Sequence, residues 1–181
     1  MGRLKVYNTQ IDDAFSLLLR SSENFVCSDF IPDVVHGEEI APRMFCQDLE
    51  RLSFNDNFFD VVITEDVLEH VRDAEKAFQE IRRVLKPGGC HVFTVPFFFD
   101  KKTLVRIDTS TGEDVYLLPP EYHGDPVRGS IVAYRTFGND MFDLLNKIGF
   151  ETSVDFTYYF YKKWGIFDSF VFLSRKAGDR G

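Results

Sequence analysis

Short apolar runs alternate with amphipathic segments along this chain, and the two patterns predict strands and helices in turn. The predicted strands are Leu4–Tyr7, Phe25–Cys27, Arg43–Cys46, Phe59–Thr64, His91–Pro96, about Glu151–Tyr158 and Phe167–Ser174. The predicted helices are Thr9–Arg20, Ala74–Leu85 and Asn139–Ile148, the second and third ending at glycines. This order predicts an α/β fold with a mostly parallel seven-stranded sheet, helices on both faces and an antiparallel terminal hairpin.

The periodic pattern is lost between Phe97 and Thr136, in a polar stretch that several prolines interrupt. Loops of this length in a compact domain are usually functional. We therefore expect residues 97–136 to form a substrate lid within one domain that comprises residues 1–181. Residues 32–42, with two prolines and a glycine, are expected to form a second, shorter loop.

Charge and composition exclude several classes of function. The formal net charge of −8 argues against nucleic acid as a partner, because such binding needs a cationic surface. No apolar run approaches the roughly 20 residues that span a bilayer, and no secretory signal is visible. The sequence therefore predicts a cytoplasmic protein without membrane contact. Three widely spaced cysteines predict buried thiols and no metal site.

Aromatic residues are unusually numerous, with 20 Phe, 7 Tyr and 1 Trp. Many of them lie in Phe97–Phe99 and Phe156–Trp164. So many aromatic side chains suggest an apolar pocket or a partner surface, including one for a homo-oligomer.

Five short motifs follow each other between Gln47 and Pro96. They are Asp48, Leu52-Ser53-Phe54, Phe59-Asp60, Leu68-Glu69-His70 and Leu85-Lys86-Pro87-Gly88-Gly89. In this order they resemble the class I S-adenosylmethionine-dependent methyltransferases, particularly those that act on small molecules. The resemblance implies their Rossmann-like fold, S-adenosylmethionine as cofactor, and methyl transfer to a small-molecule acceptor that the sequence does not identify.

The resemblance also implies which residues contact the cofactor. Asp29, followed by Phe30, comes about 20 residues after the first turn, where the family holds the ribose hydroxyls. Asp48 would accept a hydrogen bond from the adenine amino group while Leu49 packs on the ring. Thr64 and Glu65 would line the methionine part, with Glu65 near its ammonium group. Turn aspartates that cap backbone amides are the structural alternative for both aspartates.

The cofactor loop after the first strand departs from the family pattern. Tyr7, Asn8 and Thr9 stand where relatives have a glycine-rich turn, whose glycines let the backbone approach the cofactor. We count these three residues as candidate cofactor contacts. The alternative to an enzyme is a non-catalytic binding or partner subunit that kept the fold and lost the loop. A nicotinamide-dependent enzyme is disfavoured, because no G-x-G-x-x-G turn is present.

Two histidines are candidates for proton transfer. His70, in the Leu68-Glu69-His70 turn, is expected to brace that loop, as in the family. His123, within Glu121-Tyr122-His123, is the candidate catalytic base, because imidazole titrates near neutrality. Methyl transfer depends mainly on alignment, so a base is optional.

Overall fold

The structure is a computed structural model that describes residues 4–125, 129–156 and 170–178. Its helices are α1 (Ala14–Leu19), α2 (Ala74–Val84) and α3 (Met141–Ile148), with a 3-10 turn at Leu68–His70. Its strands before residue 95 are β1 (Val6–Asn8), β2 (Phe25–Asp29), β3 (Glu39–Ala41), β4 (Met44–Cys46), β5 (Phe59–Glu65) and β6 (Leu85–Thr94). The later strands are β7 (Phe97–Phe98), β8 (Leu104–Val105), β9 (Ile107–Asp108), β10 (Val115–Tyr116), β11 (Glu121–Asp125), β12 (Gly129–Ala133), β13 (Arg135–Gly138), β14 (Phe150–Phe156) and β15 (Phe170–Lys176).

Within the described residues, eight strands form the main sheet in the order β14-β15-β6-β5-β1-β2-β4-β3. The central strands β6, β5, β1, β2 and β4 are parallel, whereas β15 pairs antiparallel with both β6 and β14. The predicted mostly parallel sheet with an antiparallel terminal hairpin is therefore confirmed. The eighth strand, β3, lies in the segment expected to be loop, where it pairs antiparallel with β4.

The core is built on α2 and the strands beneath it. Ala77, Phe78, Ile81 and Val84 recur at helical spacing on α2 and are fully buried. On the sheet, Phe93 of β6 stacks on Phe172 of β15 with ring centroids 5.0 Å apart. All three cysteines are buried and free, as expected.

Two predicted helix ends are wrong. Helix α1 begins after Asp13, whose side chain accepts a hydrogen bond from the Ser16 backbone N–H, and not at Thr9. Helix α2 ends at Val84, because Leu85 is already extended and continues into β6; Gly88, with φ of 76°, lies inside that strand and does not end the helix. The end of α3 is as predicted, since Gly149 adopts the left-handed conformation with φ of 98°.

The insert, residues 97–136, is not structureless. Strand β13 pairs with β7 and β8, strands β9 and β10 form one antiparallel pair, and β11 and β12 form another. The pattern escapes sequence analysis because most of these strands have only two residues and pair with distant segments. Most of the aromatic group Phe156–Trp164 lies outside the described residues. None of the helices in the described ranges is long and apolar enough to cross a membrane.

Candidate functional site

A cleft of about 1000 Å³ opens at the carboxyl ends of β1, β2, β4 and β5. Open α/β sheets bind ligands at this edge. The predicted residues that line the cleft are Thr9, Asp29, Phe30, Asp48, Leu49, Glu65 and His123. The fold therefore brings together side chains from the first loop, three strand ends and the insert.

The remaining predicted cofactor contacts are buried and do not line the cleft. The Tyr7 hydroxyl hydrogen-bonds Ser28 Oγ at 2.7 Å, and burial holds the pKa of Tyr7 well above its usual range. The Thr64 hydroxyl pairs with His91 Nε2 at 3.0 Å. Asn8 is also fully buried. These three side chains are buried behind the residues that line the cleft. The sequence pattern did not distinguish such buried residues from residues that contact the cofactor.

Asn8 fixes the first loop in place of glycine. Its Nδ2 atom donates to Asp13 Oδ1 at 2.9 Å, to Ser16 Oγ at 3.1 Å and to the Gln10 carbonyl at 3.3 Å. Gln10 Nε2 in turn donates to the Glu65 carbonyl at 2.9 Å, which ties the loop to the end of β5. Within residues 8–13, all of them described, none has a positive φ, so this turn does not require glycine.

Asp29 and Asp48 hold oriented carboxylates at the ends of β2 and β4. Asp29 Oδ1 accepts the backbone N–H of Phe30 at 2.7 Å. Asp48 Oδ1 accepts the backbone N–H of Glu50 at 2.9 Å, and its Oδ2 pairs with Arg51 Nε at 3.1 Å. Both side chains thus cap backbone amides, as turn aspartates do, and both also line the cleft.

Glu65 ends β5 with a partly buried side chain. Burial raises the pKa of its carboxyl group, and the nearby charges of Asp13 and Asp66 raise it further. Its Oε1 atom is buried without a hydrogen-bond partner in the described part of the chain. A cationic group of a bound ligand would stabilise a carboxylate in this setting.

A second group of polar side chains lies where the 3-10 turn meets β11. His70 Nε2 and His123 Nδ1 are 3.2 Å apart, and Glu69 Oε1 lies 3.7 Å from the first and 3.6 Å from the second. Glu69 is fully buried, and this burial raises the pKa of its carboxyl group to about 8. All three residues border the cleft.

The insert holds this group in place. The Arg135 guanidinium donates to the carbonyls of Leu68 at 3.1 Å, Val71 at 2.5 Å and Arg72 at 2.6 Å. The Tyr134 backbone N–H donates to the Glu69 carbonyl at 2.9 Å. The turn and the insert are therefore joined through backbone groups as well as through the histidines.

The sequence pattern indicates both histidines but does not connect them, and it does not indicate Glu69 as a site residue. His70 and His123 are 53 positions apart, so no spacing rule relates them. The one available signal was the polar Glu69-His70 pair beside an otherwise apolar turn. His70 does brace the loop, since its Nδ1 lies 2.8 Å from the Val132 carbonyl.

The sequence is similar to known methyltransferases. A family model described as a methyltransferase domain matches residues 13–93. Phosphoethanolamine N-methyltransferase 2 of Caenorhabditis elegans is 34% identical over 79 residues, which cover 34% of this chain and 18% of that protein. A ubiquinone/menaquinone biosynthesis C-methyltransferase of Burkholderia mallei is 44% identical over 50 residues, covering 28% of this chain and 20% of that protein. The chain thus spans about a fifth of these curated relatives.

A solved structure extends the similarity to the whole fold. The S-adenosylmethionine-dependent methyltransferase from Mesorhizobium loti superimposes with a TM-score of 0.59 at 16% identity, over 96% of this chain and 91% of that one. At this identity the match concerns the fold alone. The domain match agrees with the predicted resemblance, and the shared fold confirms the class I Rossmann-like architecture.

Proposed function

We propose that this chain belongs to the class I S-adenosylmethionine-dependent methyltransferases, binds that cofactor in the cleft and transfers its methyl group to a small-molecule acceptor. The observation that carries the proposal is the meeting of Asp29, Asp48 and Glu65 in one cleft. They come from the ends of three different strands of the sheet, which is the arrangement that the sequence resemblance implies.

Each of these carboxylates would bind a different polar group of the cofactor. Asp29 would accept hydrogen bonds from the ribose hydroxyls, and Asp48 would accept one from the adenine amino group beside Leu49. Glu65, whose carboxyl group lacks a hydrogen-bond partner at Oε1 in the described part of the chain, would pair with the ammonium group of the methionine part. A hydrogen bond to a charged group contributes about 1.5–3 kcal/mol.

The acceptor would lie between the cofactor and the insert. His123, Ile131 and Tyr134 line this side of the cleft, and the protein's net charge of −8 disfavours a polyanionic acceptor. In the reaction the methyl carbon leaves the sulfonium, which becomes a neutral thioether, and bonds to the acceptor atom, whose proton passes to His123 or to water. The cofactor supplies the leaving group, so the protein mainly aligns the two reactants. His123, the candidate catalytic base, is the proposed group for contact with the acceptor.

Three further expectations stay predictions. Residues 97–136 would become better protected from hydrogen exchange when ligand binds, as a lid does. A second copy of the chain would associate through aromatic surface. The protein would act in the cytoplasm.

Titration calorimetry with S-adenosylmethionine and S-adenosylhomocysteine tests the proposal. Wild type should bind both compounds, and Asp29→Ala should bind about 10- to 100-fold more weakly, because a charge-assisted acceptor is lost. Asp33→Asn is the matched control, since Asp33 is exposed and does not line the cleft. Equal binding by wild type and Asp29→Ala would contradict the ribose assignment.

Failure of wild type to bind either compound at near-millimolar concentration would favour the alternative function. The chain would then be a methyltransferase-fold partner subunit without cofactor. The absence of glycine between Tyr7 and Asp13 is the observation that keeps this alternative in view.

A further inference from the structure

Three acceptor atoms form a nearly equilateral triangle beside the cleft. The distances between His70 Nε2, His123 Nδ1 and Glu69 Oε1 are 3.2, 3.6 and 3.7 Å. The point in their plane that is equidistant from the three atoms lies about 2.0 Å from each of them. Zinc–nitrogen and zinc–oxygen bonds measure about 2.0–2.2 Å. The triangle has the size of one face of a tetrahedral zinc site.

The outer contacts of the two histidines favour one tautomer of each neutral ring. His70 Nδ1 lies 2.8 Å from the Val132 carbonyl, which can only accept, so Nδ1 is the protonated nitrogen. His123 Nε2 lies 3.3 Å from Glu121 Oε1, a carboxylate that also accepts. In each neutral ring the lone pair then belongs to the nitrogen inside the triangle. Histidines that bind metals show this arrangement, with the other ring nitrogen donating to a carbonyl or carboxylate.

Glu69 gives an independent indication of a cation-binding site. The residue is fully buried, and neither carboxylate oxygen accepts a hydrogen bond from any part of the chain that the structure describes. A buried carboxylate is normally paired, hydrogen-bonded or bound to a metal. Here its Oε1 atom faces two ring nitrogens, and either a proton or a metal ion between them removes the repulsion of the lone pairs.

We propose that Glu69, His70 and His123 bind one divalent transition-metal ion of the Zn²⁺ or Co²⁺ type. Two imidazoles and one carboxylate are a common donor set for such ions. Three protein ligands leave a coordination position open, and all three residues border the cleft. If the proposed methyl transfer is correct, an oxygen or sulfur atom of the acceptor is the ligand class for that position.

Metal binding to the full chain, freed of metal by a chelator and studied without cofactor or acceptor, tests the site separately from activity. Co²⁺ titration should give a d–d absorption band that saturates at one equivalent, and Zn²⁺ should displace Co²⁺. His123→Ala should lower the affinity at least about 100-fold, and Glu121→Gln about 10- to 100-fold, because outer partners typically contribute that much. Tyr122→Ala, which changes an exposed neighbour of His123, should bind like wild type.

Circular dichroism checks that each variant is folded. Glu69→Gln keeps the shape of the side chain and removes its charge, so it decides the question if His123→Ala does not fold. It too should lower the affinity at least about 100-fold. Wild type that binds no stoichiometric ion would overturn the proposal and indicate that protons stabilise the triangle. Folded ligand variants that bind as tightly as wild type would overturn it as well.

Discussion

The two halves of the cleft are built in different ways. The cofactor half, with Asp29 and Asp48, lies directly after short parallel strands, and its carboxylates are fixed by neighbouring backbone amides. The other half combines the turn at Leu68–His70 with the insert, and it is assembled from segments more than 50 positions apart. Local contacts therefore position one half and long-range contacts position the other, which predicts different responses to substitution.

The largest effect is expected at Arg135, which holds the long-range half together. Arg135→Ala removes three hydrogen bonds from a charged donor to the carbonyls of Leu68, Val71 and Arg72. We expect the free energy of unfolding to fall by about 3 kcal/mol or more. Urea denaturation measures the change by linear extrapolation. Arg51→Ala is the control in the cofactor half, because its exposed ion pair with Asp48 contributes about 1 kcal/mol or less. Equal losses in the two variants would contradict the comparison.

A smaller effect is expected at Asn8, which holds the loop of the cofactor half. Asn8→Ala removes the buried Nδ2 donor that Asp13, Ser16 and the Gln10 carbonyl share. We expect a loss of about 1–3 kcal/mol in unfolding free energy and a several-fold lower affinity for S-adenosylhomocysteine. Denaturation and calorimetry on the same preparation measure both, and Asn146→Ala on the exposed face of α3 is the control. Unchanged affinity would mean that the loop does not contact the cofactor.

The smallest effect is expected at Asp48. Asp48→Asn keeps an oxygen acceptor for the adenine amino group and loses only the charge, so affinity for S-adenosylhomocysteine should fall about 3- to 10-fold. Asp29→Asn should cost more, because a ribose diol offers two donors. Calorimetry ranks the two variants against Asp33→Asn. The reverse order would exchange the roles that we assign to the two aspartates.

The main sheet could be predicted from the sequence because its strands and helices carry strong local patterns. The α2 stripe from Ala77 to Val84 is buried where its periodicity indicates, and the apolar run from Phe59 to Thr64 forms β5. The strands of the insert could not be predicted. Pairs such as Arg135 with Val105 depend on a distant partner, and two-residue strands have no period of their own.

The candidate site divides in the same way. Asp29, Asp48 and Glu65 were identifiable because each follows a strand and parallel strands end at one edge of the sheet. Tyr7, Asn8 and Thr64 come just before cleft residues in sequence, yet they are fully buried, a distinction that depends on packing. Glu69 was missed because only the folded insert brings His123 to it.

The position of β15 has a consequence for synthesis on the ribosome. Phe172 is the register partner of Phe93, and both are almost completely buried. Because β15 is translated long after β6, the nascent chain exposes the Phe93 edge for roughly 4–16 s at ordinary elongation rates. An unpaired apolar strand edge is a template for aggregation. Newly made chains should therefore depend on chaperones during that interval, whereas the completed protein should not.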